Sequence, residues 1–147
     1  MESGPAAPLW FGLLTFPLMW CAVLLLLAQL GGWRALATSY ASPARPSGEG
    51  FSFRSGKLGF VNYGSCLSFV CAREGLFVAV ALPFRPGHPS LSIPWREVSA
   101  QAKDGWIFRF VDLRFAQQPR VRLRLSRSLA ERLLSAGGGS VRIEESR

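Results

Sequence analysis

The chain has 147 residues, a net charge of +8 and three cysteines. That length holds one small domain, large enough to bury a core and too small for a deep cleft under a lid. The cysteines form no CxxC or Cys/His cluster, which argues against a metal or disulfide framework and fits a reducing compartment.

Residues 1–8 form an N-terminal tail with one charged side chain, Glu2, and residues 5–33 carry none. The 22 residues 9–30 are almost wholly apolar. At a rise of about 1.5 Å each they extend about 33 Å, against a hydrocarbon core of about 30 Å. They predict a single transmembrane helix over residues 9–31. A cleavable signal fits less well, although Ala35, Leu36 and Ala37 make an A-x-A site: the start of the chain is acidic and the apolar run is too long. Arg34, Arg45, Arg54 and Lys57 follow the span and nothing basic precedes it. The positive-inside rule then predicts the inner membrane, an outside N-terminus and a cytoplasmic domain. Trp10 and Trp33 fall at the two ends, where indoles settle among headgroups. Trp20 lies mid-span against lipid or a partner helix, and Pro17 introduces a tolerated kink.

Residues 32–50 read as a juxtamembrane segment and linker. Trp33, Leu36, Ala37 and Tyr40 recur at helical spacing, which predicts a short amphipathic helix on the membrane surface or against the domain. Trp33, Arg34 and Tyr40 are its membrane-interface candidates. Residues 41–50 are rich in Pro, Gly and small residues, as a linker is.

From residue 51 the period changes to two. Residues 51–54, 58–63 and 65–72 read as strands, and Arg73, Glu74 and Gly75 turn the chain into an apolar strand over 76–82. Cys66 and Cys71 share a strand at opposite parity and cannot easily bridge. Residues 84–89, with two prolines and a glycine, are a loop. Leu91, Ile93 and Trp95 alternate with polar positions, and Pro94 demotes that strand to an edge or a strand end. Lys103, Asp104 and Gly105 form a turn. Residues 106–115 are the longest strand candidate, with a bulge or bend near Phe110 where the apolar face switches. Residues 119–125 alternate cleanly, with Val121, Leu123 and Leu125 inward and Arg120, Arg122 and Arg124 outward. Ser128 and Glu131 make a capping box that opens a helix burying Leu129, Leu133 and Leu134 and ending at Gly137. Residues 137–147 are a frayed tail. The fold class is thus one transmembrane helix followed by a mainly-β small barrel or sandwich over residues 51–136, closed by one C-terminal α-helix.

The hairpin 66–82 with Glu74, Gly75, Leu76 and Phe77 at its turn, the stretch Leu91, Ser92, Ile93, Pro94, Trp95, Arg96, Glu97 and Val98, and the closing strand and helix resemble the pleckstrin-homology/GRAM-like domains of bacterial membrane proteins. The whole chain is also similar to small single-span bacterial membrane proteins with no assigned role. The resemblance implies a PH-like barrel over residues 51–136 and carries over no catalytic residue, since domains of one fold vary in function.

The polar residues point away from catalysis. His88, the single histidine, sits in a loop with no partner for a catalytic motif. Glu97 suits an ion pair at a strand end, and Asp112 is expected to pair with Arg109 or Arg114. No two acids converge, and neither a phosphate-binding glycine loop nor a serine nucleophile elbow is present. The expectation is a non-enzyme with no cofactor and no metal. The strongest polar signal is basic: Arg120, Arg122 and Arg124 on one strand face, Arg109 and Arg114 on the neighbouring strand, and Arg127 just beyond. Fifteen of the 17 basic residues are arginine, and part of that excess matches the codon bias of a GC-rich genome. Behind a membrane anchor the face suits anionic lipid headgroups, at about 1 kcal/mol per charge near the surface. Nucleic acid is not expected, because no exposed aromatics interleave with the arginines. The expected partners are the bilayer, anionic lipid or another membrane protein. The alternative is an accessory structural subunit whose span and residues 33–40 pack into a larger complex.

Overall fold

The computed structural model describes Gly4, residues 8–43 and residues 45–145. Most of the expected N-terminal tail, Ala44 of the linker and the last two residues of the C-terminal tail lie outside the described residues. The apolar run forms one helix, α1 (Leu9–Gly31), long and apolar enough to cross a membrane. Pro17 lies inside it. Gly32 ends it in the left-handed region at φ 86°, which lets the chain turn at once into α2 (Trp33–Tyr40). An eight-residue helix is too short to hold by propensity alone. What holds α2 is the burial of Trp33, Leu36 and Tyr40, the face that the sequence periodicity marks.

The rest of the domain is one curled, half-barrel sheet of eight strands in the order β4-β3-β2-β1-β7-β6-β5-β8. The strands are β1 (Glu49–Leu58), β2 (Val61–Cys71), β3 (Gly75–Val80), β4 (Leu91–Pro94), β5 (Val98–Asp104), β6 (Arg109–Phe115), β7 (Gln118–Ser126) and β8 (Ile143–Glu144). All pairings are antiparallel except β5 with β8. The curl comes from β1. Its register slips on both sides of Arg54, Phe53 takes φ 55°, and it meets β7 only through Lys57 and Leu58. The inward residues of β2, β3, β6 and β7 form the core, and α3 (Arg127–Ala136) adds Leu129, Ala130, Leu133 and Leu134 to it. α2 enters the same core against β4 and β7.

Several expectations are corrected. Residues 58–63 are not one strand: Gly59 and Phe60 are the turn between β1 and β2, and Gly59 at φ 58° makes it possible. Trp106, Ile107 and Phe108 lie in the turn before β6, so of the two expected causes the switch of apolar face comes from a bend of the chain there and not from a bulge within a strand. The cap of α3 is Ser126, whose hydroxyl accepts from the Leu129 amide at 3.4 Å, while Glu131 pairs with Arg127 instead of closing a capping box with Ser128. The C-terminal tail is partly ordered, because Ile143 pairs with Ala100 of β5. The linker is also partly structured: Ala41 bridges Leu91, and the Ser42 amide donates to the Ser90 carbonyl.

Candidate functional site

The clean alternation of β7 puts Val121, Leu123 and Leu125 in the core and Arg120, Arg122 and Arg124 on the outer sheet face. Register decides what each arginine meets. Arg124 stands between Lys57 on β1 and Asp112 on β6, and Arg122 stands opposite Arg114. Asp112 is 0% exposed and takes both arms of Arg124, Nε to Oδ1 at 2.8 Å and Nη2 to Oδ2 at 3.2 Å. That bidentate fork, and not the expected pairing with Arg109 or Arg114, neutralises the carboxylate. The hydrogen bond to Asp112 pushes the already high Arg124 pKa further up. The Arg124 guanidinium also lies 5.7 Å from the centre of the Phe110 ring.

Phe60, 91% exposed, projects from the turn beside this face. It joins Lys57, Arg120, Arg122 and Arg124 around a shallow recess of about 340 Å³ with Asp112 at its floor. A larger groove of about 710 Å³ opens on the other side of Lys57 and Arg124 and adds Arg54 and Arg132, the hydroxyls of Ser55, Ser126 and Ser128, and the rings of Phe53 and Phe110. The Nε atoms of Arg54 and Arg114 are buried with no hydrogen-bond partner among the described residues. The foot of α1 fixes where the recess lies. Gly59 packs so closely on Gly31 that an added Cβ would stand 2.8 Å from the Gly31 carbonyl oxygen, and Gly32 rests on Val121 of β7.

The other candidates are more dispersed. Arg109 lies at the far end of β6, opposite Asp104. Arg127 is committed elsewhere, to Glu131 at 3.0 Å and to Glu145, and these hydrogen bonds raise its pKa and lower that of Glu145. Trp10 and Arg34 are exposed. Trp33 and Tyr40, expected at the membrane interface, are buried inside the domain. Trp33 Nε1 donates to the Pro89 carbonyl at 2.8 Å, and the Tyr40 hydroxyl accepts from the Gln117 amide at 3.0 Å. Their apolar face is taken up within the chain, where the sequence alone left membrane and domain open.

His88 lies in the loop before β4, as expected, but the loop is folded inward there. His88 is 2% exposed, packed edge-on to Trp33 and Tyr63. Its Nδ1 lies 3.0 Å from the Pro86 carbonyl, which can only accept, so Nδ1 carries the proton and Nε2 accepts from the Tyr63 hydroxyl at 2.9 Å. Burial lowers the His88 pKa and raises that of Tyr63. The imidazole is a neutral packing element. Burial likewise lifts Cys71 to about 11 and raises Cys66, so both thiols stay protonated near neutrality. Glu97 accepts from the Gln117 side chain at 2.8 Å. Among the described residues no three His, Cys, Asp or Glu side chains converge as metal ligands would.

Two features escape the sequence reading. One is the exposure of Trp106, Ile107 and Phe108, for which Gly105 after Lys103 and Asp104 was the available signal of a longer turn. The other is the docking of α1. Trp20 Nε1 donates to the Pro83 carbonyl at 2.7 Å, and its ring lies 5.5 Å from Phe84. Compared with models of known protein families and with curated proteins, the chain finds no match.

Proposed function

We propose that the chain is a membrane-anchored, non-catalytic binding module, a PH/GRAM-like barrel of a bacterial inner-membrane protein with its N-terminus outside. Its domain is cytoplasmic, and its outer arginine face contacts anionic lipid headgroups. The observation that carries this reading is the packing of Gly59 on Gly31. It sets Phe60, Lys57, Arg120 and Arg122 at the foot of α1. Basic side chains around an exposed aromatic suit the interfacial zone, where each charge adds about 1 kcal/mol against an anionic leaflet. Tethering supplies the effective concentration that lets such weak contacts operate. For the fold, support comes from the antiparallel curl followed by a helix that fills its interior.

The test uses the full chain in nanodiscs of mixed phosphatidylcholine and phosphatidylglycerol. Lipids retained after gentle release are counted by native mass spectrometry. The double variant Arg120→Ser, Arg122→Ser should retain less phosphatidylglycerol and unchanged phosphatidylcholine. Arg124 is left in place because Asp112 depends on it. Equal retention by wild type and variant would falsify the reading.

A further inference from the structure

Trp106, Ile107 and Phe108 are 99%, 75% and 65% exposed at the tip between β5 and β6. Three consecutive large apolar residues in water are an anomaly for a folded domain. The tip is built rather than frayed: the Gly105 amide donates to the Phe108 carbonyl at 2.9 Å, and the Phe108 ring lies 6.3 Å from that of Phe110. Lys103, Asp104 and Arg109 flank it. Phe53, in the strained bend of β1, and Leu82, after β3, are each 73% exposed as well.

The topology gives these residues a common direction. β2 and β7 are both antiparallel to β1, so they run the same way. α1 runs against β2: Gly31 abuts Val61, while Trp20 lines a cavity with Cys66 and Phe84. The end of β7 and the facing start of β6, with Phe110 opposite Ser126, therefore extend the way α1 leaves the domain. The distances match, at about 17 Å along β7 from Val121 to Ser126 and about 16 Å along α1 from Gly31 to Trp20. Asn62, Tyr63 and Gly64 line both the groove under Phe53 and Phe110 and the cavity against Trp20 and Leu24, so the two adjoin the same stretch of β2.

We propose that the turn of Trp106, Ile107 and Phe108, together with Phe53 and Leu82, is a second membrane anchor that enters the leaflet α1 enters from the domain side. This rests on reading α1 as a membrane anchor; with α1 docked the leaflet meets the Trp20 end of the domain, about 16 Å from Arg120 and Arg122 at the foot of α1, so the arginine face meets headgroups only where α1 swings away from the domain at Gly32. The occupant is lipid because the rim lies toward the end of the domain from which the exposed apolar half of α1 projects, and because the basic residues Arg54, Lys57, Arg124 and Arg132 line the groove behind it, where headgroups would lie.

The experiment labels the full chain with 5-fluorotryptophan in nanodiscs. The resonances of Trp10 and Trp106 are assigned by their loss in Trp10→Phe and Trp106→Phe. Doxyl-labelled lipid should broaden both, and a soluble gadolinium chelate should broaden neither. The double variant Ile107→Ser, Phe108→Ser should shift Trp106 toward water, with the insertion constant falling about tenfold for each apolar side chain lost. If Trp10 meets lipid and Trp106 meets the chelate, the second anchor is wrong while the first stands. If both meet the chelate, both are wrong. If Trp106 is shielded from lipid and chelate alike, the tip is covered by protein, such as a second copy, and the proposal is overturned.

Discussion

Asp112 decides which arginines are free for a ligand. Its carboxylate is wholly buried, and Arg124 is its ion-pair partner. Arg124→Ala leaves a buried charge unpaired, a loss on the order of 3 kcal/mol, whereas Arg122→Ala on the same strand face removes no such partner and should stay within about 0.5 kcal/mol. Urea unfolding of the two variants checks this, and equal midpoints would show that water already solvates Asp112. His88 sets a pH limit by a different route. Burial holds its folded pKa below the ordinary value of about 6.5, so the unfolded chain binds the extra proton first as pH falls. Stability is therefore full above that value and declines below it, until the folded imidazole protonates in turn. His88→Gln keeps a polar side chain beside Tyr63 and should remove that part of the decline. A thermal melting series from pH 8 to 5 with unchanged slope in the variant would count against the assignment.

At the scale of elements, legibility followed how far a residue's surroundings lie along the chain. α1 and β7 could be read directly because apolar run length and strict alternation are local properties, and Val121, Leu123 and Leu125 are buried as their spacing requires. The closing helix could be read too, from Leu129, Leu133 and Leu134, though its cap fell two residues early, since Ser126 and Ser128 offer the same hydroxyl. The turn at Gly59 was hidden because Leu58, Val61 and Tyr63 are all buried, so an apolar pattern runs through it; the left-handed φ of 58° and the close contact with Gly31, both invisible in the pattern, explain a glycine there. α2 showed its apolar face but not what covers it. Its partners, Pro89 and Gln117, lie far away in sequence. The arginine face was visible as a stripe, but the pairing of Asp112 with Arg124 depends on a cross-strand register that period-two patterning does not specify.

For the molecule as a whole, under the proposed membrane reading, the docking of α1 is the feature that would set how deep the chain sits in a bilayer. Residues 20–31 run beside the domain, with Trp20 bonded to Pro83 and Leu24 and Ala28 buried. Residues 9–19 stand clear and rise about 16 Å, roughly half of a hydrocarbon core. A full crossing then needs the apolar rim to sink, or α1 to detach from the domain by pivoting at Gly32. The rim tolerates a depth of about 5–10 Å, as interfacial apolar faces do, while Lys57 and Arg124 behind it resist going deeper. The apolar length offered is thus about 21–26 Å, short of an average bilayer. Mismatch costs fractions of a kcal/mol per Å, enough to shift a marginal helix–domain contact. Docking should therefore persist in thin bilayers and weaken in thick ones. The 5-fluorotryptophan resonance of Trp20, assigned by its loss in Trp20→Phe, reports the contact with Pro83 and Phe84. Followed from dilauroyl to dierucoyl phosphatidylcholine, it should move progressively toward the position it takes in a Phe84→Ala variant, where the ring contact is lost. A Trp20 resonance that ignores acyl-chain length would mean that the domain and α1 enter the membrane as one rigid unit, with the bilayer doing all of the adjusting.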